Sequence, residues 1–75
     1  MTTLAQANHA ISVAGFPLEL VRGEGYHYFV YDNPSANIYE TDSVYVTYTN
    51  TYTAKGWVEQ AEWAWRTIRN IIDNR

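Results

Sequence analysis

The chain has 75 residues, no cysteine, 16% aromatic residues and a formal charge of −3. One domain of this size buries only about 60% of the surface its unfolded chain exposes, so its core is thin and each large apolar side chain counts. Without cysteine there is no disulfide framework and no thiolate metal site, and His9 and His27 lack a metal-ligand spacing, so neither a metal nor any other cofactor is expected.

The opening "MTTLAQANHAISVAG" carries no charge and no unbroken apolar run, so neither a secretory leader nor a membrane span is expected, and a reducing cytosol fits. Its helix signals are clear. Thr2 or Thr3 can cap, Leu4, Ala7, Ile11 and Ala14 recur at helical spacing, and Gly15 stands where a C-terminal glycine would end the helix. Phe16-Pro17 then forces extended backbone, and "LELVR" at 18–22 reads as a first strand with Leu18 and Leu20 on one face. Gly23-Glu24-Gly25 is expected to supply the positive φ angles of a tight hairpin, with "YHYFVYD" at 26–32 as the second strand. His27, beside Phe29 and Tyr31 on one face, is expected to be a half-buried packing residue with its ring nitrogens satisfied.

Asp32-Asn33-Pro34-Ser35 ends that strand. The next clear alternation is "SVYVTYT" at 43–49, which places Val44, Val46 and Tyr48 on one face and Tyr45 and Thr47 on the other. A connection of about ten residues is too long for a tight turn, and its "NIYETDS" portion reads either as a short extended edge or as a surface loop. The last element is a long helix. Trp57, Val58, Ala61, Ala64, Trp65, Ile68, Ile71 and Ile72 form a stripe about 140° wide, and Thr53 can cap its start. The expected fold is α+β: a short N-terminal helix, a three-stranded antiparallel sheet and a long C-terminal helix packed on it, in the order αβββα.

Charge is unevenly placed. Residues 16–53 carry Glu19, Glu24, Asp32, Glu40 and Asp42 against Arg22 alone, a net of −4, while residues 54–75 carry four cations against three carboxylates. Aromatic strands can stack single-stranded nucleic acid, but such proteins also neutralise phosphates with Lys and Arg, which the sheet segment lacks. The cations of the last helix stand four residues from acids, in Lys55 with Glu59, Glu62 with Arg66 and Arg69 with Asp73, the spacing of ordinary helix-surface pairs. Glu40 and Asp42, two apart, are the minimum for paired carboxylate chemistry, and an acidic loop in water is the simpler reading; no catalytic constellation is found.

Protein binding remains. Seven tyrosines and three tryptophans exceed what one sheet face and one helix stripe need, and Tyr and Trp are enriched at interface hot spots. Trp63, at a helical angle of about 240°, is expected to face away from the sheet, where either the first helix, a second copy or a partner covers it. Glu24, Asp32, Glu40 and Asp42 are expected to line the ends of the sheet with negative charge and to suit a basic partner.

The run "GFPLELVRGEGYHYFVYD", then "SVYVTYT", then a helix opening on Trp57, resembles small proteins of bacteriophages and other mobile elements, among them anti-CRISPR inhibitors. The resemblance covers about residues 11–60 and rests on Gly15, Leu18, Leu20, Gly23, Gly25, Tyr26, Phe29, Val44 and Trp57. It implies a bacterial host cytoplasm and inhibition without catalysis, by binding the basic DNA-binding surface of a Cas subunit of type I Cascade as a partial DNA mimic. The expected partner-binding residues are Glu24, Asp32, Glu40 and Asp42 for electrostatics, with Tyr39, Tyr45 and Trp63 as anchors. The expected state is a monomer or weak homodimer with no nucleic-acid or membrane partner. The alternative is a phage-encoded accessory or structural protein that self-associates through exposed aromatic residues, Trp63 foremost.

Overall fold

The computed structural model describes all 75 residues. Helix α1 spans Leu4–Val13, strands β1, β2 and β3 span Glu19–Arg22, His27–Asn33 and Ile38–Val44, and helix α2 spans Ala54–Asp73. The strands form one antiparallel sheet in the order β1-β2-β3, so the α+β order expected from the sequence is the observed one.

Helix α1 begins with a reciprocal cap: the Gln6 amide N–H donates to Thr3 Oγ1 at 3.1 Å, and the Thr3 N–H donates to Gln6 Oε1 at 3.0 Å. It ends in a left-handed turn at Gly15, φ 89°, which lets the Phe16 N–H reach the Ile11 carbonyl at 3.2 Å and the Gly15 N–H reach that of Ser12 at 3.0 Å. That double closure directs Phe16 back over the core and starts β1. The β1–β2 hairpin departs from expectation in one detail. Only Gly25 has a positive φ, 79°, whereas at Gly23 a Cβ would stand 2.8 Å from the Tyr26 ring, which would have to shift.

The third strand lies earlier than predicted. It is Ile38–Val44, not residues 43–49, and the connection from β2 is the short turn Pro34–Ala36 closed by Asn37 in the left-handed region at φ 56°. Asn tolerates that conformation better than other non-glycine residues, so "NIYETDS" belongs to the sheet itself. The segment 45–49 leaves the sheet because it is drawn elsewhere. A tight bend closes from the Val46 N–H to the Val44 carbonyl at 2.9 Å, and His27 and Trp57 then hold the chain beyond it.

Helix α2 starts at the Thr53 cap, whose Oγ1 accepts the Gly56 N–H at 3.1 Å. Its buried face is Trp57, Ala61, Ala64 and Ile68, with Val58, Trp65 and Ile72 half-buried beside it and Ile71 exposed. Both helices pack on the same side of the sheet and against each other. The core comprises nine buried apolar side chains, with Trp57, Phe29, Ile11, Leu20 and Ile68 the largest. Buried polar contacts supplement this small core.

The main such contact is made by His27. It is fully buried, not half-buried, and both ring nitrogens are engaged: Nδ1 lies 2.8 Å from the Val46 carbonyl and Nε2 2.8 Å from Thr49 Oγ1. A carbonyl can only accept, so Nδ1 carries the hydrogen, and in the neutral ring the Thr49 hydroxyl donates to Nε2. The imidazole packs on Trp57 with centroids 5.2 Å apart, and Trp57 Nε1 donates to the Thr49 carbonyl at 2.7 Å. One histidine and one tryptophan thus pin the β3–α2 connection to the core.

Candidate functional site

Antiparallel register assigns each strand residue to a face. On the helix side lie Leu20, Phe29 and Asp42 in one row, with Arg22, His27 and Val44 in the next; Tyr31 and Glu40 form the row on the other side. On the outer side Val21, Tyr28 and Ser43 stand in line, as do Glu19, Val30 and Thr41, with Asp32 opposite Tyr39 towards the β2–β3 turn. Tyr26 and Tyr45 extend this outer face at the opposite end, their rings stacked 6.4 Å apart, and Tyr28 lies 5.8 Å from Tyr26. No helix covers the outer face. Tyr45 is 86% exposed and Tyr39 61%.

The residues expected to form one binding flank therefore divide among three surfaces. Asp32, Tyr39 and Tyr45 share the outer sheet face, and Glu24 stands exposed at the β1–β2 hairpin tip. Glu40 and Asp42 lie on the helix side, half-buried, because a strand beginning at Ile38 turns every second residue from 38 to 44 inward. They correct the expectation of an exposed acidic loop at the sheet's end. Glu40 is neutralised by a salt bridge to Arg75 at the end of the chain. The Asp42 carboxylate has no hydrogen-bond or ion-pair partner, and burial pushes its pKa above the ordinary value of 3.8.

Trp63 occupies the third surface, the solvent side of α2. It is 63% exposed, with the Arg66 guanidinium 5.1 Å from its ring centroid and Arg66 paired to Glu62 at 3.0 Å. Neither α1 nor the sheet covers it. Of the three helix-surface pairs expected from spacing, only Glu62 with Arg66 closes as a salt bridge.

The register also supplies residues that sequence reasoning did not select. Glu19, Val21, Tyr26, Tyr28 and Val30 belong to the outer face, and together with Asp32, Tyr39 and Tyr45 they make a surface rich in phenol rings, edged by carboxylates and free of Lys and Arg. Alternation along β1 and β2 carries this signal, but it becomes a surface only once the position of β3 is known. In comparisons with known proteins, no family model, no curated protein and no solved structure matches the chain. No helix is long and apolar enough to cross a membrane.

Proposed function

We propose that this protein acts by binding another protein through the outer face of its sheet, as a stoichiometric inhibitor without catalysis. The observation that carries the proposal is the uncovered face itself, with Tyr26, Tyr28, Tyr39 and Tyr45 beside Glu19 and Asp32 and no cation among them. Tyrosines, with only two side-chain torsions to fix, supply contact area at little entropic loss and leave hydroxyls for hydrogen bonds. Carboxylates at the margin steer a positively charged partner and reject an anionic one. A nucleic-acid strand would find rings to stack on but no cation for its phosphates.

A basic surface is what DNA-binding proteins present. Following the resemblance to anti-CRISPR proteins, the proposed target is the DNA-binding surface of a type I Cascade subunit, met as a partial mimic of DNA. The contact set is revised: Glu19, Asp32, Tyr39 and Tyr45, with Glu24 at the tip, while Glu40 and Asp42 leave this face. Binding of purified Cascade to the immobilised chain at low and moderate salt tests the proposal. Capture is expected to weaken with salt and to fall at least about tenfold in Asp32→Lys and in Tyr45→Ala, the loss of one good contact of about 1.4 kcal/mol. No capture by Cascade removes that target, and capture unaffected by either substitution removes the outer face.

The competing reading, self-association through Trp63, rests on that side chain's exposure. Light scattering across concentration separates the two. A monomer, unchanged by Trp63→Ala, is expected; a dimer abolished by that substitution would favour the accessory or structural role.

A further inference from the structure

The two edges of the sheet are treated differently by the fold. At β1 the Asn8 side chain acts as a substitute strand: its Nδ2 donates to the Leu20 carbonyl at 2.9 Å, and the Leu20 N–H donates to its Oδ1 at 2.7 Å. Helix α1 lies along that edge. At β3, helix α2 packs on the inner side, but no side chain bonds to the backbone of the edge. Because Leu20 directs its backbone groups outward to Asn8, its register partner Phe29 directs its own towards β3 and exchanges them with Asp42. The residues between, Tyr39, Thr41 and Ser43, must then direct N–H and C=O away from the sheet. None of these groups has a backbone or side-chain partner in the fold. They offer hydrogen bonds at the two-residue repeat of a strand, over about 13 Å.

Side chains decide what that edge can accept. On the helix side it presents Glu40 and Asp42. A second copy pairing antiparallel about Thr41 would set Asp42 of each molecule opposite Glu40 of the other, whose cation Arg75 is already engaged, so the copy would bury Asp42 further without bringing it a free cation. An apolar strand would strip water from two carboxylates and return nothing. Inward charges on an edge strand are a known defence against such pairing, but the same charges welcome one kind of strand. Glu40 already holds a guanidinium, that of Arg75. Asp42, half-buried with no cation near enough to pair, lacks one.

We infer that the free edge of β3 is a docking site for an extended, basic segment of a partner protein, which adds as a fourth strand with a Lys or Arg side chain over the unpaired Asp42. Main-chain hydrogen bonds to Tyr39, Thr41 and Ser43 give the affinity, and the Asp42 carboxylate gives the selection for a cation. The inference rests on the proposed function for the partner being a basic protein, and it uses a different part of the sheet. On the outer side the added strand would lie beside Tyr39, so one partner can engage the tyrosine face and the edge together.

The test uses the intact chain and three capped eight-residue peptides: one alternating Lys and Thr, one alternating Glu and Thr, and a Lys-Thr peptide N-methylated at alternate residues. The methylated peptide keeps the charge and loses the strand-forming N–H groups. Amide hydrogen exchange by NMR reads the edge. The Lys-Thr peptide is expected to slow exchange of the Tyr39, Thr41 and Ser43 amides at least about tenfold, and Asp42→Asn to weaken its binding about tenfold, the effect of one charge-assisted contact. The Glu-Thr and methylated peptides should leave exchange unchanged. Unchanged exchange with Lys-Thr would mean that the carboxylates only block the edge, and equal effects of the methylated peptide would mean diffuse charge attraction. Protection that rises with protein concentration alone would mean self-pairing. Each of these overturns the inference. Because no Cascade is present, failure here leaves the proposed function standing, and failure of Cascade capture leaves this result untouched.

Discussion

Replacing His27 by leucine removes the polar half of the contact that holds the β3–α2 connection while keeping an apolar side chain of similar size against Trp57. Two groups lose their partners, the Val46 carbonyl and the Thr49 hydroxyl, each 2.8 Å from the ring. An unsatisfied buried group costs about 1–3 kcal/mol. Val46 and Thr49 are half-buried, so water recovers part of this, and the expected loss is about 2–4 kcal/mol, including the ring packing on Trp57. A domain of this size has about 4–11 kcal/mol in total, so the variant should lose a large fraction of its stability and about 10–25 °C in Tm. Urea unfolding at pH 7, followed in parallel by tryptophan fluorescence and far-ultraviolet circular dichroism, measures it. Thr49→Val and the double variant complete a cycle. Since both single changes break the same contact, the double should be milder than their sum by about 1–2 kcal/mol. A loss below about 0.5 kcal/mol for His27→Leu, or strict additivity, would refute the view that this pair of hydrogen bonds secures the connection.

Two further predictions concern the sheet edges. Asp42 binds its proton more tightly folded than unfolded, so the native state gains stability as pH falls through the raised folded value towards the ordinary 3.8 and loses it as pH rises. Asp42→Asn should therefore be more stable than the parent at pH 7, with the advantage gone below 3.8; equal urea midpoint differences at pH 3 and pH 7 would contradict this. Asn8→Ala should cost about 1–3 kcal/mol by stranding both backbone groups of Leu20, and should increase aggregation measured by light scattering.

Much of the architecture is legible in the residues, and the part that is not has a physical cause. Helix α2 shows itself because Trp57, Ala61, Ala64 and Ile68 repeat at helical spacing and one face really is buried. Strand β3 hides because two of its four inward positions are Glu40 and Asp42. Alternation is read as apolar against polar, and an edge strand that places carboxylates inward erases that contrast. The Val and Tyr residues of 44–48 have the composition of a strand, but His27 and Trp57 claim the backbone beyond Val44 first. The misplaced strand carried the site error with it, since the facing of Glu40 and Asp42 follows from where β3 begins. Contacts between distant positions left no local trace: nothing about Asn8 in mid-helix announces a strand twelve residues away, nor does Arg75 announce Glu40, thirty-five residues back.

The amide that Asn8 lends to Leu20 limits how this sheet can be extended. With one margin occupied by its own first helix, the folded sheet can lengthen on one side only, so edge-to-edge pairing cannot run on from chain to chain. Whatever joins at the other margin completes the structure, and the natural ratio of such a union is one to one.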